Sequence, residues 1–119
     1  MKLCITSQGP ELSSPVDPRF GRASWFIIYE TETGAFEALD NARNLNAASG
    51  AGVQAAATVA DKGCDWVISG HIGPKALAVL QAGGVKVAVG AEGSVEAAAA
   101  AFKDGRLGEA TEADVAPRW

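Results

Sequence analysis

The sequence predicts an α/β domain: a three-layer sandwich in which a five-stranded mixed sheet carries helices on both faces. Three observations lead there. From residue 50 onward, apolar runs of strand type alternate with runs of helical period, the pattern of parallel strands joined by right-handed crossovers. Before that point, two strand-type runs flank the turn Thr31-Glu32-Thr33-Gly34, which marks a hairpin and adds an antiparallel edge. Finally, 48% of the 119 residues are hydrophobic, enough for one sizeable core. The length also suits a single domain, for which roughly 100–200 residues is usual.

The elements follow in order. Leu3–Thr6 carries apolar residues on both faces, as a strand in the middle of a sheet does. Trp25–Glu30 is rich in aromatic and β-branched residues and reads as the second strand, with Ala35–Leu39 as its hairpin partner. Asp40–Ser49, with three asparagines, reads as a loop. Gly50–Lys62 then takes helical period, with Val53, Ala56, Ala57 and Ala60 on one stripe and Gly63 at the C′ position. Trp66–Gly70 is a buried strand. Pro74 stands where the first residue of the next helix is expected, and that helix runs to Ala82 before Gly83-Gly84. Val85–Val89 is the last of the five strands. Ser94 is the N-cap of a final helix, Val95–Lys103, which contains five successive alanines. Gly105–Trp119 is polar and reads as loosely attached. The domain is expected to span residues 1–108, with 109–119 a tail; no repeat or second domain is visible.

Charge and composition exclude some functions. The net charge of −4 argues against general nucleic-acid binding, for which a basic balance is expected. Crossing a bilayer takes roughly 20 residues of apolar chain, and no run approaches that length. Met1–Thr6 leads straight into a strand without a signal-peptide pattern. A cytoplasmic, non-membrane protein is expected. Cys4 and Cys64 are too few for a disulfide scaffold and too far apart for a CxxC pair, and each reads as a buried free thiol.

The most informative stretch is Ser14–Ala23, where two prolines bracket Val16-Asp17 and two arginines flank Phe20-Gly21. Proline pre-sets φ, so the loop loses little entropy when held in place. Arginine cannot lose its charge at ordinary pH, which suits an anion better than proton transfer. Taken alone, this segment is either an anion-presenting loop with an aromatic face or a surface turn whose arginines pair with carboxylates.

Position bears on that choice. Ser7-Gln8-Gly9, Gly70–Lys75 and Gly90–Ser94 all fall at the C-terminal ends of strands, the edge where open α/β sheets bind ligands. Two of these segments run into helix N-termini, whose N–H groups and dipoles favour anions. Their glycines permit close backbone approach. Gly70–Lys75 lacks the P-loop spacing, and no GxGxxG follows a strand, so nucleotide hydrolysis is poorly supported. His71, the one histidine, is a polar contact, a plain loop residue or a metal ligand; a lone imidazole does not make a protein metal site. Asp17 and Glu92 could pair, though their spacing does not require it. No nucleophile–base arrangement is visible, so catalysis is not expected.

The segments Ser14–Thr31, Gly50–Leu77 and Gly84–Leu107 together resemble the dinitrogenase iron–molybdenum-cofactor family, the NifX/NifB-C-terminal type, over roughly residues 1–108. The resemblance implies a ribonuclease H-like architecture and the carrying of a metal–sulfide cluster rather than catalysis. The implied cargo is a molybdenum–copper sulfide cluster or a related iron–molybdenum or thiomolybdate cluster. It also implies that Arg19, Phe20, Gly21, Arg22 and Ala23 surround the cluster with His71, Ile72, Gly73, Pro74 and Lys75 and with Gly90, Ala91 and Glu92. Some family members have histidine before the Phe-Gly; Arg19 stands there in this chain, leaving His71 as the sole imidazole.

With two cysteines expected in the core, such a cluster cannot be wrapped in thiolates. Binding is expected to be non-covalent: Arg19, Arg22 and Lys75 neutralise charge, backbone N–H groups meet sulfide, and Phe20, Ile72 and Pro74 form an apolar wall. Two alternatives stand beside this reading. One is a regulatory interaction module anchored by the terminal Pro117-Arg118-Trp119, and the other is an enzyme with a phosphate or nucleotide ligand. A ribonuclease activity is not expected, since no acidic set stands at the strand ends. A partner protein that donates or receives the cluster would fit the carrier reading.

Overall fold

The computed structural model describes residues 1–41 and 50–113. The greater part of the expected 40–49 loop and the terminal tripeptide lie outside them. The elements in chain order are β1 (Lys2–Ser7), β2 (Trp25–Glu30), β3 (Phe36–Asp40), α1 (Ala51–Asp61), β4 (Trp66–Ile68), α2 (Pro74–Ala82), β5 (Lys86–Val89), α3 (Val95–Lys103) and β6 (Gly108–Glu109). They form one sheet in the order β3-β2-β1-β4-β5-β6. β1, β4 and β5 are parallel to one another, while β2, β3 and β6 each pair antiparallel with their neighbour.

Neighbouring residues on a strand point to opposite faces, so a central strand must be apolar on both. Cys4, Phe26, Ile28, Val67 and Val87 meet Ala55, Ala56 and Val59 of α1 and Ala76, Leu77 and Leu80 of α2. On the other face Leu3, Ile5, Ile27, Ile68 and Ala88 meet Val95, Ala98 and Ala99 of α3. These two cores make the three layers. Alanine on the helices keeps them close to the sheet, because the side chain ends at Cβ. No helix among the described residues is long and apolar enough to cross a membrane.

Two expectations need correction. The sheet has six strands rather than five, because Gly108–Glu109, expected to be loosely attached, pairs with Val89 and Ala88 of β5. Two polar residues carry no hydrophobic period; their pairing comes from backbone groups alone, with Ala110 N donating to Val87 O at 2.8 Å. β4 also ends at Ile68 rather than at Gly70, since the chain turns away there to meet the loop that follows β1.

The helix ends follow local chemistry. Pro74 opens α2 behind an extended Gly73. Gly63 follows α1 with positive φ, the left-handed conformation common just past a helix end. Ser94 Oγ accepts from Ala97 N at 3.0 Å at the start of α3. Glu96 stands in the first turn of that helix and Lys103 in its last, each on the end its charge favours. Ser94→Ala is therefore expected to destabilise the fold by about 1 kcal/mol, and denaturant unfolding of the two proteins measures that difference.

Candidate functional site

β1 and β4 lie side by side and parallel at the centre of the sheet, in register Leu3↔Trp66, Cys4↔Val67 and Ile5↔Ile68. Beyond β1 the sheet continues to β2 and β3, and beyond β4 to β5 and β6. Strand order reverses between the two, and the C-terminal ends of such a strand pair are where open α/β sheets form their ligand crevice.

The chain leaving β1 packs into that crevice. Val16 bridges Ser7, and Asp17 N donates to Thr6 O at 3.0 Å. Arg19 then forms a parallel bridge with His71, whose N–H donates to Pro18 O at 2.8 Å. The third loop joins in, with Gly90 N donating to Gly70 O at 3.0 Å and Val16 N to Gly93 O at 2.8 Å. All three segments expected at the ligand edge are thus tied together through their backbones.

Buried polar side chains hold this arrangement. The Thr6 hydroxyl donates to Asp17 O at 2.6 Å and lies 3.1 Å from Ser69 Oγ, which donates to His71 O at 3.2 Å. Asp17 Oδ1 accepts from Arg19 N at 3.0 Å. This Asx turn leads the chain out to the arginine. Asp17 is therefore a turn-former in this loop.

Glycine is needed where the backbones cross. A Cβ on Gly70 would stand 2.8 Å from Pro18 Cα and 2.9 Å from Pro18 O. A Cβ on Gly21 would stand 2.8 Å from Gly52 Cα, so the Phe20–Arg22 turn rests directly on the first turn of α1.

The expected residues divide by exposure. Arg19, Arg22, His71, Lys75, Gly90 and Glu92 are exposed, Gly21, Gly73 and Pro74 are half-buried, and Ala23 and Ala91 are buried. Phe20 and Ile72, expected to wall a pocket, are 2% and 1% exposed and belong to the core beneath α1 and α2. The Phe20 ring stacks on Phe26 with centroids 5.4 Å apart. The loop presents its charges outward and turns its aromatic inward, because burying a phenyl ring is favourable and burying a guanidinium is costly.

The helix starts also differ from one another. That of α3 is satisfied within the protein: Val95 N donates to Ser14 O, Glu96 N to Leu12 O, and Ala97 N to Ser94 Oγ. The expectation that the Gly90–Ser94 loop offers a helix start to an anion is corrected on that ground. The N-cap residues of α1 and α2 are Gly50 and Gly73, which have no side chain to serve as a cap. Their first turns adjoin the arginine loop, α1 at Gly21 and α2 through the His71 segment. No group of three or more His, Cys, Asp or Glu side chains is gathered for a metal ion among the described residues.

Comparison with known proteins decides the family. A family model described as dinitrogenase iron-molybdenum cofactor matches residues 1–105. The chain belongs to the dinitrogenase iron–molybdenum cofactor family. A protein of Methanocaldococcus jannaschii, MJ0580, is 31% identical over 109 residues, covering 90% of this chain and 89% of its own. Among solved structures, the apo orange protein of Desulfovibrio gigas is similar with a TM-score of 0.93 and 37% identity over 96% of each chain. A Thermotoga protein described as a "putative NifB protein" of the DUF35 family is similar with a TM-score of 0.79 and 40% identity over 91% of each chain.

Within this member of the family, sequence reasoning missed the supporting residues rather than the loops. Thr6, Ser69 and Gly52 carried no motif; a glycine two residues after Gly50, in the first turn of a helix, was the one available sign of a close backbone approach. Alanine at Gly70 is expected to cost on the order of 1–3 kcal/mol through overpacking against Pro18. At Gly108 a Cβ meets nothing within 4 Å. Alanine there should stay within about 0.5 kcal/mol of the parent. Thermal unfolding of both variants checks the contrast.

Proposed function

We propose that this chain binds and carries an anionic metal–sulfide cluster containing molybdenum, without catalysing a reaction, at the crevice where the arginine loop crosses the His71 loop. One observation carries the reading: the loop bearing Arg19 and Arg22 rests against the start of α1, whose N-cap is Gly50, and is bridged to the segment that opens α2 behind Gly73. The first-turn N–H groups of a helix and fixed guanidinium charges favour anions in the same way. Lys75, exposed at the second residue of α2, adds a third cation.

Membership of a family described by the iron–molybdenum cofactor supports a cluster as the cargo. The strand order β3-β2-β1-β4-β5 with β2 antiparallel supports the ribonuclease H-like reading of the fold. Both cysteines are buried, at 0% and 5% exposure, so the cluster is held by charge and N–H···S contacts rather than thiolates. Gly21, Arg22 and Ala23, His71–Lys75 and Gly90–Glu92 form the surround, with Phe20 and Ile72 contributing backbone only. Residues 1–108 act as one cluster-binding unit, and a protein partner supplies or receives the cargo.

Protein purified without oxygen, or treated with tetrathiomolybdate and copper(I), should become coloured and hold molybdenum and sulfide; metal analysis then shows whether copper or iron accompanies them. A charge-assisted hydrogen bond contributes roughly 1.5–3 kcal/mol, so Arg22→Ala should weaken retention by roughly tenfold to a hundredfold. Cys4→Ser should leave the visible spectrum of the bound cluster unchanged. A protein that stays colourless and is stabilised by nucleotides instead would overturn the proposal, as would loss of the cluster on changing Cys4.

A further inference from the structure

The α3 face of the sheet carries a second constellation, at the opposite end from the arginine crevice. Trp66 and Lys86 open β4 and β5, Tyr29 stands near the end of β2, which runs antiparallel to β1, and Lys103 is the last residue of α3. The crevice lies where β1 and β4 end, about 20 Å away for a strand of six residues at roughly 3.3 Å each. Lys86 Nζ stands 5.6 Å from the centroid of the Trp66 ring, and Trp66 meets Phe102 edge-on with centroids 5.0 Å apart. The next residue, Lys103, places Nζ 5.2 Å over the Tyr29 ring and donates to Tyr29 Oη at 3.4 Å. Phe102 and Lys103, with Met1 and Thr31, line an open groove of about 430 Å³. Among the described residues the large hydrophobics left exposed are Met1 and Phe36, at 47% and 41%. Met1 lines this groove, and Phe36 pairs with Tyr29 across β2 and β3, so both belong to one patch.

The lysines are the unbalanced charge there. The carboxylates around them are engaged elsewhere: Glu30 and Glu32 stand 2.9 and 3.5 Å from the Met1 ammonium, Asp104 stands 3.2 Å from Arg106, and Asp65 accepts from Lys2 N at 2.7 Å. Among the described residues no carboxylate lies within 4 Å of Lys86 or Lys103 Nζ. An ammonium has three donors, and Lys103 uses one of them on Tyr29. In a chain of net charge −4, an apolar groove flanked by two cations is complementary to an acidic partner. Nucleobases would need open ring faces on which to stack. Lys103 covers Tyr29, Lys86 covers Trp66, and both rings pack below against the core under α3, so no such platform is offered.

We propose that this groove docks a partner protein through an acidic segment bearing one large apolar side chain. The apolar side chain enters beside Phe102 and Met1, and carboxylates on either side of it meet Lys103 and Lys86. This surface is separate from the arginine crevice and does not rest on the cluster reading.

The test selects a phage-displayed library of random peptides on the folded, full-length protein, with the Lys86→Glu/Lys103→Glu double variant as the counter-target. Enriched peptides should carry an aromatic or large aliphatic residue flanked by aspartate or glutamate. In solution they should move the amide NMR signals of Thr31 and Phe102 and leave those of Arg19–Arg22 in place. Their affinity should fall on the order of tenfold in the double variant, and should fall as salt is raised. No enrichment, equal enrichment on the double variant, peptides without acidic residues, or signals that move only at the crevice overturn the proposal. So does tighter binding of a single-stranded oligonucleotide to the same residues. Should the double variant fail to fold, Lys86→Ala/Lys103→Ala as counter-target and the salt series on the wild type decide in its place.

Discussion

The parallel pairing of β1 with β4 is the constraint on which the rest of the structure depends. It reverses strand order at the centre of the sheet and so leaves a crevice that the returning chain must enter. Pro18 can pass over Gly70 because no Cβ stands between them, and the passage is fixed by His71 N–H on Pro18 O and by the buried hydroxyls of Thr6 and Ser69. Remove that crossing, and the arginine loop has no fixed place relative to either helix start.

Rigidity and charge are supplied by different residues of the same loop. Phe20 stacks on Phe26 inside the core and holds the loop down. Such a ring pair is worth about 0.5–1.5 kcal/mol beyond the burial of its area. Asp17 directs the outgoing backbone, and the prolines restrict it further. The guanidinium groups of Arg19 and Arg22 therefore belong to a framework already ordered, which lowers the entropy cost of holding an anion. The neighbouring helices complete the contrast: α3 has its first-turn N–H groups occupied by Ser14 O, Leu12 O and Ser94 Oγ, whereas α1 and α2 begin behind glycine N-caps that have no side chain to offer.

The element order, the hairpin, the buried central strand and the helix caps were all legible in the residues. Each is set by a local rule: two-residue alternation, helical period, proline at a helix start or serine at a cap. The arginine loop was legible as charge and restricted backbone, and its neighbours at the ligand edge followed from element order. Contacts between distant segments were not legible. Phe20 faces the core because Phe26, on β2, stacks against it. Gly108–Glu109 becomes a sixth strand through backbone groups that every sequence possesses. Local propensity is written in neighbouring side chains; the crossing of Pro18 over Gly70 and the spent start of α3 arise only when segments far apart in sequence compete for the same space.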